Sequence, residues 1–252
     1  MSYSASELLA VMAARQLAGV GSVFAGVGIP LLSAALAQKT CAPHLIIVVE
    51  GGSIGPEVIP GRLPISTNEM RVAYRAQMLP SITDTFLFAQ RGSLDVGFVG
   101  GAQIDRYGNL NSSIVGPREH PKVRLPGSGG ANDIISLCRQ VIVVTLHERR
   151  RFVPQVDFVT SPGFLGGGDS RRKAGLLFGS VSRVVTNLGI FGFDAESKAM
   201  RLEALHPGVS VGDVTANTGF ELLIPERVAT TEPPSEGELA LLRSLDPDRR
   251  FL

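Results

Sequence analysis

The sequence predicts an α/β fold built on an open, mainly parallel β-sheet with flanking helices. Two observations support this class. Aliphatic runs rich in Val and Ile, at 45–49 and 141–144, are typical of strands buried on both faces of a parallel sheet. These runs alternate with glycine turns and helical patterns, and such alternation favours parallel strands joined by crossover helices.

The N-terminal elements follow this alternation from the start. Ser4 and Glu7 have the spacing of a capping box, which predicts a first helix that ends at Gly19. Next come a short strand at 23–24, a glycine turn at 26–28, a helix that begins near Pro30, and a strand at 45–50. The first unit of the fold is therefore strand, glycine loop and helix.

The middle of the chain repeats the pattern. The predicted elements are an amphipathic helix at 81–92 with Ser81 as its cap, a strand from 94 that runs into glycines at 100–101, a glycine loop that opens a helix within 127–140, and a strand at 141–146. A parallel sheet of several strands is the expected result.

The C-terminal part predicts a small extension of strands and helices. A glycine-rich, basic stretch at 161–176 is expected to be either a mobile flap or a surface loop. A strand pair at 183–193 and 199–208 is followed by short helices at 210–219 and 235–245, with a surface linker at 229–234. We expect one domain over 1–252.

Composition excludes several classes of protein. The net charge of +1 predicts neither a nucleic-acid partner nor an anionic membrane partner, and no apolar run reaches the length of a membrane span. The N-terminus has no signal-peptide pattern, and two cysteines, Cys41 and Cys138, form no metal or disulfide framework. We therefore expect a cytoplasmic protein with free thiols.

One carboxylate stands out. Glu50 follows the aliphatic run at 45–49 directly, and Gly51 and Gly52 come next. In parallel sheets, ligands bind beyond the carboxyl ends of the strands, where Glu50 is expected to lie. The residues alone leave two interpretations open: a reactive group, or a surface charge that caps a neighbouring helix.

Three glycine loops adjoin predicted strands, at 26–30, 100–105 and 127–133. None matches the dinucleotide fingerprint or the phosphate-binding P-loop. Loops at strand ends of one sheet would cluster and present backbone N–H groups to an anion or an oxyanion.

Other chemistry-bearing residues favour structural roles. His44, His120, His147 and His206 are scattered and form neither a metal motif nor a Ser/His/Asp set. The basic clusters at 147–151 and 170–173 are expected to be solvated or salt-bridged, with contacts to substrate phosphates as the alternative.

Five stretches together resemble a known family, the β subunits of class I coenzyme A transferases, and among them the glutaconate CoA-transferase type. The stretches are LIIVVEGGSIGPEVIP at 45–60, GGAQIDRYGNLNSS at 100–113, GSGGAND at 127–133, HERRRFVPQVDFVTSPGF at 147–164 and VVTNLGIF at 184–191. The resemblance spans roughly residues 5–250. It implies a CoA-transferase-like α/β domain that works with a homologous α subunit, as a heterodimer, a dimer of heterodimers or a larger assembly.

The resemblance also implies a mechanism. In the family, the Glu that closes the second aliphatic strand is the nucleophile, and its match here is Glu50. Relatives tend to have Glu-Ser-Gly at this point, whereas this chain has Glu50-Gly51-Gly52. The expected substrates are an acyl-CoA and a carboxylic acid, with coenzyme A as a substrate and no cofactor or metal. The residues expected to bind CoA or an oxyanion are Gly51, Gly52, Gly100, Gly101, Ala102, Gly127, Gly129, Gly130, Ala131 and Asn132.

Three alternatives remain open from the sequence. The scaffold also serves family members that hydrolyse ring-cleaved steroid CoA thioesters or decarboxylate methylglutaconyl-CoA. A ligand-sensing module is disfavoured because no DNA-binding helix is recognisable. A regulatory subunit would require Glu50 to be dispensable.

Overall fold

A computed structural model describes residues 2–252 and divides the chain into two compact units. The first unit runs to Val99 and resumes at Pro233–Leu252, and the second spans Gly100–Glu232. The expectation of a single domain over 1–252 stays a prediction.

The α-helices are α1 (Ala5–Arg15), α2 (Ile29–Lys39), α3 (Ile82–Gln90), α4 (Ala131–Leu137), α5 (Ser170–Lys173), α6 (Val211–Ala216) and α7 (Glu236–Leu245). The strands are β1 (Ser22–Phe24), β2 (Ile46–Val49), β3 (Ser53–Ile54), β4 (Val96–Val99), β5 (Gln103–Ile104), β6 (Leu110–Asn111), β7 (Ile114–Val115), β8 (Val123–Arg124), β9 (Gln140–Val144), β10 (Val181–Val185), β11 (Gly189–Phe193), β12 (Met200–Leu205) and β13 (Ala229–Thr230). A 3-10 turn covers Met70–Ala73.

The first unit has a mainly parallel sheet. Strand β1 pairs in parallel with β2 on one side and with β4 on the other, while the short β3 returns antiparallel to β2. Helices α1, α2 and α7 contact one another, so the C-terminal helix returns to the N-terminal unit. The predicted capping boxes are present at Ser4 and Ser235, and Pro30 lies in the first turn of α2 as expected.

The second unit has a mixed sheet. Strand β9 pairs in parallel with β10, β11 lies antiparallel between β10 and β12, and β13 is parallel to β12. Two small hairpins, β5–β6 and β7–β8, form outside this sheet. The predicted α/β class with a mainly parallel sheet and flanking helices is confirmed.

Two C-terminal predictions were wrong in detail. The stretch 183–193 was expected to be one strand of a pair, but it contains the end of β10, a turn and β11. The Thr186 hydroxyl accepts from the N–H groups of Leu188 and Gly189 at 3.1 Å each, and this local side-chain turn reverses the chain. The supposed linker at 229–234 begins as β13, because Ala229 and Thr230 pair with β12.

Candidate active site

Glu50 lies in the tight turn between β2 and β3, one residue beyond Val49. The Gly52 N–H donates to the Val49 carbonyl at 3.0 Å and closes this turn. The Glu50 side chain is half-buried, and within residues 2–252 nothing donates a hydrogen bond to its carboxylate or forms an ion pair with it. It caps no described helix, so the capping interpretation is wrong.

Both glycines after Glu50 are required by close packing. A Cβ atom on Gly51 would collide with the backbone carbonyl oxygen of Thr67 and lie 2.7 Å from Oδ1 of Asn68. Gly52 has φ +93°, and a Cβ atom there would collide with the carbonyl oxygen of Pro80. The turn can therefore carry a side chain at Glu50 but not at the two positions after it.

The segment 65–69 was not identified from the sequence. It packs against Gly51 and places the exposed side chain of Asn68 beside the turn that carries Glu50. Its polar composition gave no periodic signal, and only the spatial packing shows that it belongs to the surroundings of Glu50.

The loop Gly100–Gly101–Ala102 lies in the second unit, directly after β4. The N–H groups of Gly100 and Gly101 have no hydrogen-bond partner within that unit, and Gly100 is exposed. The Ala102 N–H, in contrast, donates to the Asn111 carbonyl at 2.8 Å. Two of these three predicted donors are therefore free to bind an anion.

The loop that contains Gly127, Gly129, Gly130, Ala131 and Asn132 also lies in the second unit, before and within α4. The N–H of Gly127 donates to the Ser112 carbonyl at 2.8 Å, and that of Ala131 donates to Ser128 at 2.9 Å. Asn132 is exposed. The carbonyls of two successive residues, Asn111 at the end of β6 and Ser112 directly after it, therefore bind one residue from each of the two glycine loops.

Polar residues of the stretch 100–113 form a scaffold. The Asp105 carboxylate accepts from the N–H of Tyr107 and from both nitrogens of Asn109, at 2.9–3.1 Å. The side-chain Oδ1 of Asn109 in turn accepts from the N–H groups of Gly163 and Leu165 at 3.0 Å. Burial raises the pKa of Asp105. Because these polar groups satisfy one another's hydrogen bonds, we assign them a structural role: they hold the loops in shape.

The two basic clusters behave differently from each other. Glu148 pairs with Arg150 and Arg151, and the Arg150 hydrogen bond lowers the pKa of that carboxyl group. Arg171 instead turns inward, is 5% exposed, and donates to five backbone carbonyls. These belong to Ile135, Pro162, Gly163, Phe178 and Gly179. Through these buried hydrogen bonds, Arg171 holds the backbone of residues 161–179 in place.

Within residues 2–252, the remaining candidate side chains form no catalytic or metal-binding group. His147 is buried, its Nε2 is 3.0 Å from the Thr218 hydroxyl, and burial lowers its pKa to about 3. Burial raises the pKa of the Cys138 thiol to about 12, so this thiol stays protonated. Within residues 2–252, no three His, Cys, Asp or Glu side chains lie close enough to hold a metal ion. None of the described helices is both long and apolar enough to span a membrane.

Comparison with known proteins identifies the family. Residues 7–217 match the family model of coenzyme A transferase. The chain is 38% identical to the β subunit of 3-oxoadipate CoA-transferase from Pseudomonas knackmussii, covering 97% of this chain and 94% of that one. It is 37% identical to the β subunit of glutaconate CoA-transferase from Acidaminococcus fermentans, covering 99% and 95%.

Structural similarity agrees with these matches. The crystal structure of the Acidaminococcus fermentans glutaconate coenzyme A-transferase superposes with a TM-score of 0.91 at 35% identity, over 99% of this chain and 97% of that chain. Proteins with other activities are also similar. The decarboxylase AibA/AibB has a TM-score of 0.83 at 27% identity, over 99% and 97%. The cholesterol ring-cleaving hydrolase IpdB subunit of Rhodococcus jostii is 31% identical, over 96% and 92%.

The family model covers most of the chain, and three relatives above 30% identity cover nearly all of it. The overall fold matches that of the glutaconate enzyme. This chain therefore belongs to the coenzyme A transferase family, and within it to the class I β subunits.

Proposed function

We propose that this chain is the β subunit of a heteromeric CoA transferase that moves CoA between an acyl-CoA and a short carboxylic acid, with Glu50 as the nucleophile. The observation that carries the proposal is the position of the Glu50 carboxylate and its lack of a partner among residues 2–252. This carboxylate stands at the carboxyl end of a parallel strand and is partly desolvated. A carboxylate held this way is available for attack, whereas a paired carboxylate is not.

Four balanced steps follow. The Glu50 carboxylate attacks the thioester carbonyl carbon, CoA leaves as a thiolate, and a mixed anhydride forms. The thiolate then attacks the Glu50 carbonyl of the anhydride, which expels the donor carboxylate and leaves a glutamyl-CoA thioester. The acceptor carboxylate attacks this thioester, releases the thiolate and forms a new anhydride. The thiolate finally attacks its acyl carbonyl, which yields the new acyl-CoA and free Glu50.

Each addition step creates an oxyanion that needs donors. Among the predicted loops, Gly100 and Gly101 are the proposed backbone donors, because their N–H groups have no partner within their unit. Ala102, Gly127 and Ala131 have N–H groups already engaged, so we assign their part in the proposed site to holding the loops in shape. Gly129, Gly130 and Asn132 are proposed to contact CoA, and Gly51 and Gly52 to keep Glu50 accessible.

The proposed enzyme contains a homologous α subunit, since two relatives are named as one subunit of their enzymes and one similar structure is the pair AibA/AibB. The names of two relatives, 3-oxoadipate and glutaconate CoA-transferase, favour a short dicarboxylic acid as substrate. The chemistry conserves the thioester, so we propose CoA as a substrate and no further cofactor. Free Cys41 and Cys138 fit a reducing compartment, and we propose the cytoplasm.

A trapping experiment tests the proposal. The chain is co-expressed with its α subunit, incubated with a panel of acyl-CoAs, and reduced with borohydride, which attacks a glutamyl thioester but not a free carboxylate. Mass spectrometry is expected to find the reduced residue at Glu50 only. The acyl-CoAs that produce it are the donors.

The second candidate function is hydrolysis or decarboxylation of an acyl-CoA, favoured by the similarity to IpdB and AibA/AibB. In that case acyl-CoA is consumed without any acceptor acid, and borohydride leaves Glu50 unmodified. The two functions therefore give opposite results in the same experiment.

A further inference from the structure

A cavity of about 480 Å³ opens within the first unit, at the carboxyl ends of two neighbouring parallel strands. Val49, the last residue of β2, forms part of its wall. Leu31, in the first turn of the helix that follows β1, forms another part. Ligands of α/β proteins characteristically bind in this crevice. Glu50 is not itself part of the wall, but Val49 precedes it directly, so the wall continues along the chain into the turn that carries the proposed nucleophile.

The walls of the cavity are largely aliphatic. Leu31, Val49 and Val72 are buried, and Val58 and Ile59 are half-buried beside them. Such walls bind a methylene chain by excluding water from it. The size and lining of the cavity therefore fit a short acyl chain.

The rim of the cavity carries an excess of positive charge. Four charged residues line it, and three of them have partners. Arg71 pairs with Glu69 at 2.7 Å, Arg250 with Asp248 at 3.3 Å, and Glu57 with Arg75 at 3.0 Å.

The fourth charged residue, Arg62, stands apart. Its guanidinium forms no ion pair and no hydrogen bond with any group of residues 2–252. One uncompensated cation therefore faces a cavity with aliphatic walls, and this combination selects an anion on an apolar stem.

We propose that this cavity is the subsite for the acyl chain and that Arg62 binds a second carboxylate at its far end. The inference rests on the proposed function, and it assigns the preference for a dicarboxylic acid to one side chain. One carboxyl group of the acid reacts at Glu50, the carbon chain lies along Val49 and Val72, and the guanidinium of Arg62 receives the other carboxylate. A monocarboxylic acid of equal length gains nothing from Arg62.

The test compares glutarate with pentanoate as CoA acceptors, two acids with five carbons each, using the complex of this chain with its α subunit. Arg62→Gln is expected to lower kcat/KM for glutarate at least about 10-fold and to change that for pentanoate less than about 2-fold, because a lost charged hydrogen bond affects only the dicarboxylate. Arg62→Lys is expected to retain part of the preference. Arg91→Gln, an exposed arginine of the same unit that does not line the cavity, serves as the matched control.

Equal losses for both acids, or none for either, would overturn the inference. The rival anion is a phosphate of CoA. If the effect of Arg62→Gln disappeared when 3′-dephospho-CoA thioesters replaced the CoA thioesters, Arg62 would contact the nucleotide and the inference would be wrong.

Calorimetric binding of glutarate to the complex, without CoA, separates this inference from the proposed function. Wild-type binding that weakens at least about 10-fold in Arg62→Gln supports the subsite even if no transfer is detected. Binding that the substitution leaves unchanged contradicts the subsite even if transfer proceeds.

Discussion

Two glutamates of the first unit have opposite surroundings. The Glu7 side chain is 1% exposed and accepts hydrogen bonds from the Ser4 N–H at 2.7 Å and from Arg243 at 2.6 Å. The Arg243 hydrogen bond lowers the pKa of Glu7 to about 2. Glu50 is half-buried and has no partner within residues 2–252. A carboxylate surrounded by donors stabilises the fold and is a poor nucleophile, while one left without donors adds little stability and can react.

The arginines repeat this contrast. Arg171 in the second unit donates to five backbone carbonyls and is nearly inaccessible. Arg62 in the first unit has no side-chain partner within residues 2–252 and lines an open cavity. A charged residue that the chain itself satisfies is structural, and one that the chain leaves unsatisfied is a candidate for binding a ligand.

The largest expected effect concerns Glu50. Glu50→Gln, assayed in the complex with its α subunit, is expected to lower the transfer rate at least about 10³-fold, because the amide cannot form the anhydride. The free energy of unfolding should change by less than about 0.5 kcal/mol, since the Glu50 carboxylate forms no hydrogen bond or ion pair with residues 2–252. Transfer kinetics and urea unfolding measure the two quantities.

Glu7→Gln is the matched control for this substitution. It should leave the transfer rate of the folded complex unchanged while lowering stability. If Glu50→Gln retained normal transfer, or if it unfolded the chain, the contrast between the two glutamates would be wrong.

The effect of Arg171 on stability should be the next largest. Arg171→Met removes five hydrogen bonds and leaves buried carbonyls unpaired, so we expect a loss of about 2–4 kcal/mol in the free energy of unfolding. Arg171→Lys should rescue little, because an ammonium group has three donors and not five. Chemical denaturation, with limited proteolysis of 161–179, measures the loss.

The neighbouring residue provides the control. Arg172 is exposed and, among the described residues, its guanidinium pairs with Asp169 alone at 3.3 Å, so Arg172→Met should change stability by less than about 0.5 kcal/mol. Similar losses for both variants would mean that the inward direction of Arg171 has no energetic consequence.

The sequence predicted the fold more completely than the site. Hydrophobic runs, capping boxes and glycine punctuation are local signals, and they placed α1, α2, α3, β2 and β9 close to their observed positions. Local signals failed where a side chain made the turn, as Thr186 does between β10 and β11. They also missed the two-residue strands, which have too few residues to show a period.

The candidate site is harder to derive from the sequence than the fold, because its properties depend on distant packing. The position of Glu50 after an aliphatic strand is visible in the sequence, but the lack of any partner for it among residues 2–252 is not. The requirement for glycine at 51 depends on Thr67, sixteen positions further along the chain. The inward turn of Arg171, within a run of three basic residues, carries no local signal that distinguishes it from Arg172.

The smallest effect concerns the response of stability to acid. The folded pKa of Glu7 is about 2 against an ordinary value of 4.5, so its contribution is fully present above about pH 4.5 and is lost as the pH falls towards 2. Glu7→Gln should therefore lower the free energy of unfolding by roughly 2 kcal/mol at pH 7, and the difference from wild type should shrink as the pH approaches 3. Glu236→Gln, which replaces an exposed glutamate in the first turn of α7, is the control for a surface substitution and should lie within about 0.5 kcal/mol of wild type. Urea unfolding at pH 7, 5 and 3.5 measures all three chains. If the difference in the free energy of unfolding between wild type and Glu7→Gln stayed constant with pH, Glu7 would act through packing alone. The contrast in charge between Glu7 and Glu50 would then be wrong.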